Sequence, residues 1–251
     1  MKKNFRIIPK LEIKNQNLIK GVRMDGLRVI GDPNQFGMDY YNSGADELIY
    51  MDIVASLYGR NNLSHLITKL AKEVFIPITV GGGIRKETDI YNVLRCGADK
   101  VSINTAAVEN PSFIKNMSKV FGSSTIVLSI EAKKKDEKKW EVYTKSGREK
   151  TGIDVVEWIK KMQDFNVGEI MLASVDRDGT NKGLDIDLIN EVKDICKVPL
   201  VLGGGFNLDD IINKKELKYL DGLCISSLLH YKKTEIKTIK KKLKSKNFLI
   251  R

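Results

Sequence analysis

The chain has few of the residues from which metal centres and disulfide frameworks are built. It carries two histidines, His65 and His230, and three cysteines, Cys96, Cys196 and Cys224, scattered and without a CxxC pair. An odd, dispersed set of thiols reads as small buried hydrophobes in a reducing compartment, so neither bridges nor a metal site are expected. No apolar run approaches the length that crosses a bilayer. Met1 to Arg6 runs directly into an apolar β-branched stretch without a cleavable apolar region, which points to a cytoplasmic protein. No Ser/Pro-rich linker interrupts the chain, so one domain over residues 1–251 is expected.

What is present in excess is positive charge. The formal net charge is +11, concentrated in Lys133–Lys139 and in the tail from Lys232 to Lys246. Such runs suit a nucleic-acid or membrane surface. Lysines far outnumber arginines here, however, and bidentate phosphate recognition favours arginine. The runs are therefore read as solvated faces with a modest steering effect on an anionic ligand. No nucleic-acid or membrane partner is expected. At 251 residues and 42% hydrophobic content the chain can bury a large core, and one barrel domain commonly reaches this size.

The chain is punctuated by two glycine triplets, each closing an apolar run: Gly81-Gly82-Gly83 after Ile76–Val80, and Gly203-Gly204-Gly205 after Pro199–Leu202. Backbone without Cβ atoms brings its N–H groups close to an anion, and a helix starting just beyond adds more. One triplet alone is more often a tight turn. Here the step that carries Gly81 onto Gly203 also carries Asn104-Thr105 onto Ser226-Ser227, and a nearly equal step carries Glu12 onto Glu131. Matching punctuation in two half-chains indicates a duplicated unit.

Eight apolar β-branched runs are expected as strands: 5–13, 47–53, 76–80, 100–103, 125–131, 169–173, 199–202 and 223–226. Helical spacing separates them, as in Leu63-Leu66-Ile67-Leu70-Ala71-Val74 and again over Ile153–Phe165. This alternation predicts an α/β fold, a parallel (β/α)8 TIM barrel built from two half-barrel repeats. An open doubly wound sheet is the alternative, disfavoured because two equivalent halves close naturally. Longer connections follow the first strand (14–32) and the fifth (133–152). The second contains an alternating stretch and a turn, and a hairpin is expected there.

In such a barrel, alternate residues near the strand ends face the mouth, so Glu12 and Glu131 confront each other across it. Paired carboxylates suit general acid–base work. Each position also suits a plain rim ion pair with lysine, and position alone does not choose between them. Asp52 and Asp178 add acids to the same face. Gly83 with Asn104 and Thr105 forms one expected anion cradle; Gly204 and Gly205 with Ser226 and Ser227 form the other. Two cradles imply a ligand phosphorylated at both ends, the plainer option being that one is a remnant.

The strings Arg6-Ile7-Ile8-Pro9, Gly44-Ala45-Asp46-Glu47-Leu48, Val80–Arg85, Gly97–Val108 and Asp176-Arg177-Asp178-Gly179-Thr180 resemble the cyclase subunit of imidazole glycerol phosphate synthase, the HisF family, across essentially the whole chain. The resemblance implies a barrel that receives ammonia from a glutaminase subunit docked at its N-terminal face. That ammonia reacts with a doubly phosphorylated ribulosyl nucleotide in histidine synthesis, without a cofactor. It further implies binding residues at Lys20, Asp52, Gly83, Asn104, Thr105, Ser174, Asp178, Gly179, Gly204, Gly205 and Ser227. An ammonia gate of Arg6, Glu47, Lys100 and Glu169 is implied as well; two bases and two acids neutralise one another where an unpaired charge would be costly.

The chain departs from that family at informative places. Glu12 and Glu131 stand where the family has aspartates, Lys10 where it has cysteine, Ala173 where it has threonine and Gly203 where it has serine. A longer acid moves the carboxylate by roughly 1 Å, a displacement that can change rates ~10²-fold. Two changes in the same direction suggest adjustment. A HisF-like relative delivering ammonia to a nucleotide-linked or surface-polysaccharide sugar is therefore the main alternative, with a catalytically silent phosphate-binding barrel third.

Overall fold

The computed structural model describes residues 4–55 and 63–250. Its strands are β1 (Asn4–Lys14), β2 (Asn17–Val22), β3 (Asp25–Gly31), β4 (Leu48–Asp52), β5 (Ile78–Gly81), β6 (Lys100–Ile103), β7 (Ile126–Asp136), β8 (Lys139–Thr144), β9 (Glu149–Asp154), β10 (Glu169–Ser174), β11 (Leu200–Gly203), β12 (Gly222–Ile225) and β13 (Leu249–Ile250). Eight of them pair in parallel in the order β1-β4-β5-β6-β7-β10-β11-β12, and β12 returns to β1, so the sheet closes. All eight expected runs became these barrel strands. The open sheet is excluded by the β12–β1 pairing, in which Ile8 lies beside Cys224.

The helices among the described residues are α1 (Pro33–Asn42), α2 (Ser64–Leu70), α3 (Glu87–Arg95), α4 (Thr105–Glu109), α5 (Ser112–Phe121), α6 (Val155–Asp164), α7 (Ile186–Val192), α8 (Leu208–Asn213), α9 (Ser227–His230) and α10 (Ile236–Ser245). The pattern expected over 63–74 forms α2 and the turns after it. The one expected over 153–165 forms α6, whose start is set by Asp154: its carboxylate accepts from the Val156 and Glu157 amides. Asp32 caps α1 in the same way.

The duplication is visible in repeated local devices. β1 continues into the β2–β3 hairpin and β7 into the β8–β9 hairpin, each followed by an Asp-capped helix. The second hairpin was anticipated and the first was not. Ile78 N–H donates to Asp99 and Leu200 N–H to Asp221, so an aspartate ties the entry of each glycine strand to its neighbour. Asp46 does the same for Ile7.

Apolar packing separates into an outer and an inner set. The large set joins the outward strand faces to the helices. The small one, Ile8, Ile49, Val127, Met171, Val201 and Cys224 with Met51, lies inside the ring of strands. These positions follow from alternation, since Arg6, Glu47 and Glu169 meet across the barrel and the residues two further along share their face. The interior is thus stacked in tiers: charge at the base, hydrocarbon above it, and a polar tier under the mouth.

Candidate active site

The mouth is organised by a buried chain of charges. Lys20, 2% exposed on β2, places its ammonium 2.7 Å from Glu12 Oε2 and 2.8 Å from Asp178 Oδ2. Lys10 Nζ lies 3.1 Å from Glu12 Oε1. Burial alone would raise the Glu12 carboxyl, but the Lys20 and Lys10 ammonium groups outweigh it and hold the carboxyl well below the usual range. The rim ion pair left open from position alone is therefore present, and it keeps Glu12 ionised.

Glu131, on β7 across the mouth, has different surroundings. It accepts a hydrogen bond from the Gly147 amide at 2.8 Å and, among the described residues, pairs with no cation at contact distance. Burial pushes its carboxyl up to about 7, with the Gly147 bond and the more distant Lys10 opposing. Both glutamates line one cavity of about 100 Å³, together with Asp52, Gly83, Asn104 and Thr105. Environment has driven two like groups apart, the pattern that lets one serve as a fixed anion while the other exchanges a proton.

The two glycine cradles have nearly the same backbone. Gly82 and Gly83 have φ of +93° and +71°, Gly204 and Gly205 of +99° and +82°, a region L side chains rarely adopt. A Cβ on Gly82 would lie 2.1 Å from the Asp52 carbonyl oxygen, and one on Gly204 would lie 2.6 Å from that of Ser174. Asn104 (φ −127°, ψ −80°) and Ser226 (φ −120°, ψ −87°) match as the residues preceding α4 and α9. Gly83, Asn104 and Thr105 line the first cavity; Asp178, Gly179, Gly204, Gly205, Ser226 and Ser227 line a second.

Not every expected side chain is directed at a ligand. Ser226 Oγ donates to the Lys10 carbonyl at 2.7 Å, and Ser227 Oγ to Asn181 Oδ1 at 2.9 Å. Their availability lies in the backbone amides at the start of α9. Ser174 is fully buried, donates to Asp185 and lines neither cavity. Asp52 accepts from the Val54 and Ala55 amides, which shapes the turn against Gly82. Asn104 donates to the Tyr143 carbonyl.

The β2–β3 hairpin covers the mouth. Met24 at its turn packs with Ala173 and Val175, Arg23 N–H donates to the Asp178 carbonyl, and Met24 and Leu27 line the first cavity. His230, to which the sequence assigned no role, supports the floor. Its Nε2 donates to the Lys10 carbonyl at 3.1 Å, so Nδ1 accepts from Tyr40 Oη at 2.6 Å. Burial lowers its pKa to about 4, which keeps the ring neutral.

At the opposite end of the barrel the four implied gate residues form a closed ring of alternating sign. Arg6 pairs with Glu47 and Glu169, and Lys100 reaches the same two acids at 3.1 and 2.9 Å. Among the described residues no group of His, Cys, Asp and Glu is arranged to hold a metal ion, and no helix is long and apolar enough to cross a membrane.

Comparison with known proteins agrees with this geometry. A family model described as "Histidine biosynthesis protein" matches residues 6–235. The chain is 55% identical over 202 residues to the imidazole glycerol phosphate synthase subunit HisF of Legionella pneumophila, covering 80% of this chain and 95% of that protein. It is 43% identical over 247 residues to the HisF subunit of Bacillus cereus strain Q1, covering 98% of both. With its closed barrel, paired glycine cradles and facing carboxylates, the chain belongs to the histidine biosynthesis protein family, among the HisF subunits of imidazole glycerol phosphate synthase.

Proposed function

We propose that this chain is the ammonia-using cyclase–lyase of a glutamine amidotransferase of the imidazole glycerol phosphate synthase type. Its ligand is phosphorylated at both ends and lies between the two glycine cradles, with its reacting centre over the glutamates. Glu12, fixed as an anion by Lys20 and Lys10, stabilises positive charge that develops when ammonia adds. Glu131, whose carboxyl titrates near neutrality, transfers the protons that cyclisation and C–N cleavage require. Ammonia enters from a glutaminase docked at the base, through the charged ring and the hydrocarbon tier above it. The observation that carries the reading is the split between two facing carboxylates under one cavity.

The test is direct. The isolated chain, given an ammonium salt and the doubly phosphorylated ribulosyl aminoimidazole-carboxamide nucleotide, should release the aminoimidazole carboxamide ribotide. Absence of turnover at saturating concentrations would favour the second reading, ammonia transfer to a nucleotide-linked or surface-polysaccharide sugar. That reading is supported by Lys10, Ala173 and Gly203, which give the middle of the site a shape and charge unlike the family pattern.

A further inference from the structure

Lys10 is the cation that the two glutamates leave unexplained. It follows Ile8 on the inward face of β1, and of all lining residues only Lys10 and Ala173 belong to both cavities. It therefore stands at the partition between the two cradles, beside the glutamates over which the reacting centre of the proposed ligand lies. Its surroundings leave it room: Ala173 carries one methyl, and Gly203, which lines the second cavity, carries none. The Lys10 carbonyl accepts from Ser226 and His230, so the strand that carries the amine is held fixed.

The amine has donors to spare. An ammonium has three N–H groups, and among the described residues Glu12 is the one acceptor that Lys10 reaches, at 3.1 Å. Glu12 is anchored without it, since its other oxygen takes the Lys20 ammonium at 2.7 Å. Burial works against the charge on Lys10, but Glu12, and after it Asp178, outweigh burial and raise its pKa. A lysine kept charged is a poor nucleophile and a good partner for negative charge.

The pair that Lys10 makes with Glu12 has the polarity that ammonia addition calls for. Ammonia attacks an electrophilic carbon, and a ribulosyl chain offers its ketone. The nitrogen lone pair forms the new C–N bond while the π pair of the C=O bond moves onto oxygen. The first adduct thus carries a positive nitrogen and a negative oxygen on one carbon. Glu131 gives a proton to that oxygen and takes one from that nitrogen, leaving a neutral carbinolamine with all the atoms of ketone and ammonia. Glu12 faces the positive nitrogen in the reading above. The oxygen on the same carbon is closer to that nitrogen than Lys10 is to Glu12, which brings it within reach of the spare ammonium donors.

We propose that Lys10 is a catalytic residue that donates a hydrogen bond to the ketone oxygen under attack and holds the negative charge that forms there. The ligand stays uncharged between its phosphates until ammonia adds. This rests on the ammonia-using reading and supplies its electrophilic half: Glu12 for the nitrogen, Lys10 for the oxygen, Glu131 for the proton.

The experiment uses the full chain and the ribulosyl aminoimidazole-carboxamide nucleotide labelled with carbon-13 at its ketone carbon. Bound in ammonia-free buffer, the labelled C=O stretch in difference infrared spectra should lie at lower frequency than in the free nucleotide, because a donated hydrogen bond weakens that bond. In Lys10→Met, of similar length but uncharged, the stretch should return to its free value. Turnover with ammonium salt should fall about 10²- to 10³-fold in kcat, the usual effect of removing one such donor, with nucleotide binding nearly unchanged. Lys10→Arg should keep part of both. If Lys10 served only to keep Glu12 charged, the loss would shrink as pH rises; it should instead persist undiminished in alkali. An unshifted stretch in the unsubstituted chain would overturn the proposal even if the variants fail to fold, as would full turnover by Lys10→Met or a loss that alkali repairs. If the unsubstituted chain binds no nucleotide, or binds it without turnover, the proposed function falls, and this inference with it.

Discussion

The Glu131 carboxylate accepts the Gly147 amide at 2.8 Å, which ties the acid on the fifth barrel strand to the tip of the hairpin that follows it. The residue with the more adjustable proton is thus held by backbone, whereas Glu12 opposite is held by side-chain charge. Glu131→Gln preserves the contact, because an amide oxygen also accepts. If Glu131 moves the proton, turnover with ammonium salt should fall by about 10²-fold or more, the usual contribution of general acid–base catalysis, with substrate binding unchanged. Retained turnover in rapid-mixing kinetics would remove Glu131 from the chemistry.

The same substitution has a signature in stability. The folded Glu131 carboxyl titrates at about 7 against an ordinary value of 4.5. The folded state therefore holds this proton where the unfolded state has released it. The stability from this neutral form is complete below pH 4.5 and is lost as pH rises to about 7, by about 1.4 kcal/mol per pH unit at most. Glu131→Gln has no charge to bury, so its melting temperature relative to the unsubstituted chain should climb between pH 5 and pH 8. A pH-independent difference would show that Glu131 is ionised throughout.

Lys20→Met should be severe for a different reason. It leaves Glu12 and Asp178 close together without their shared cation, and breaking a buried pair in this way typically costs about 3–5 kcal/mol. Glu12, depressed in the native chain, contributes stability above its unfolded value and loses it as pH falls toward the folded one. Denaturant titrations should show the variant destabilised most near neutral pH and least in acid. A uniform loss would mean that Lys20 acts by packing alone.

Closing the base ring has its own test. In Lys100→Met, Glu47 and Glu169 retain Arg6 as their remaining ring cation. Glutamine-driven turnover in the assembled enzyme should drop several-fold relative to turnover with free ammonium salt, because ammonia added to solution can also enter from the mouth. Equal losses in both assays would argue against passage through the ring.

The covered mouth makes a fifth expectation. A cavity of about 100 Å³ is well below the ~300–1,000 Å³ of ordinary small-molecule sites, so lifting of the β2–β3 hairpin on ligand entry is the expected outcome to test. Met24→Ser removes much of the apolar contact that holds it down. Trypsin should then cut faster at the exposed Arg23 and Arg28, with a bound bisphosphate restoring protection. Unchanged cleavage would show that Lys20 and Arg23, not Met24, keep the hairpin seated.

The barrel and the two glycine turns were legible because both rest on periodic or strongly constrained residues: β-branched runs at regular intervals, and glycines whose positive φ excludes most alternatives. The first hairpin was not. Its turn places Arg23 and Met24 at φ of +53° and +61°, so it lacks the Asn-Gly or Asp-Gly signal at the turn itself. What sets Glu12 apart from Glu131 was hidden for a related reason. Lys20 reaches its carboxylate only because β2 folds back antiparallel beside β1, pairing Ile19 with Glu12. Ser174, expected just beyond the 169–173 run as a ligand contact, is instead the last residue of β10, and its hydroxyl turns to Asp185, a partner eleven residues on that no local pattern announces.

His230 joins the last turn of α9 to the carbonyl of Lys10, and Ser226, one residue ahead of that helix, grips the same oxygen. The second cradle and the first strand are therefore joined by two side-chain hydrogen bonds in addition to the β12–β1 backbone ladder. Whatever occupies the second cradle therefore rests on the same carbonyl that anchors Lys10 at the middle of the mouth.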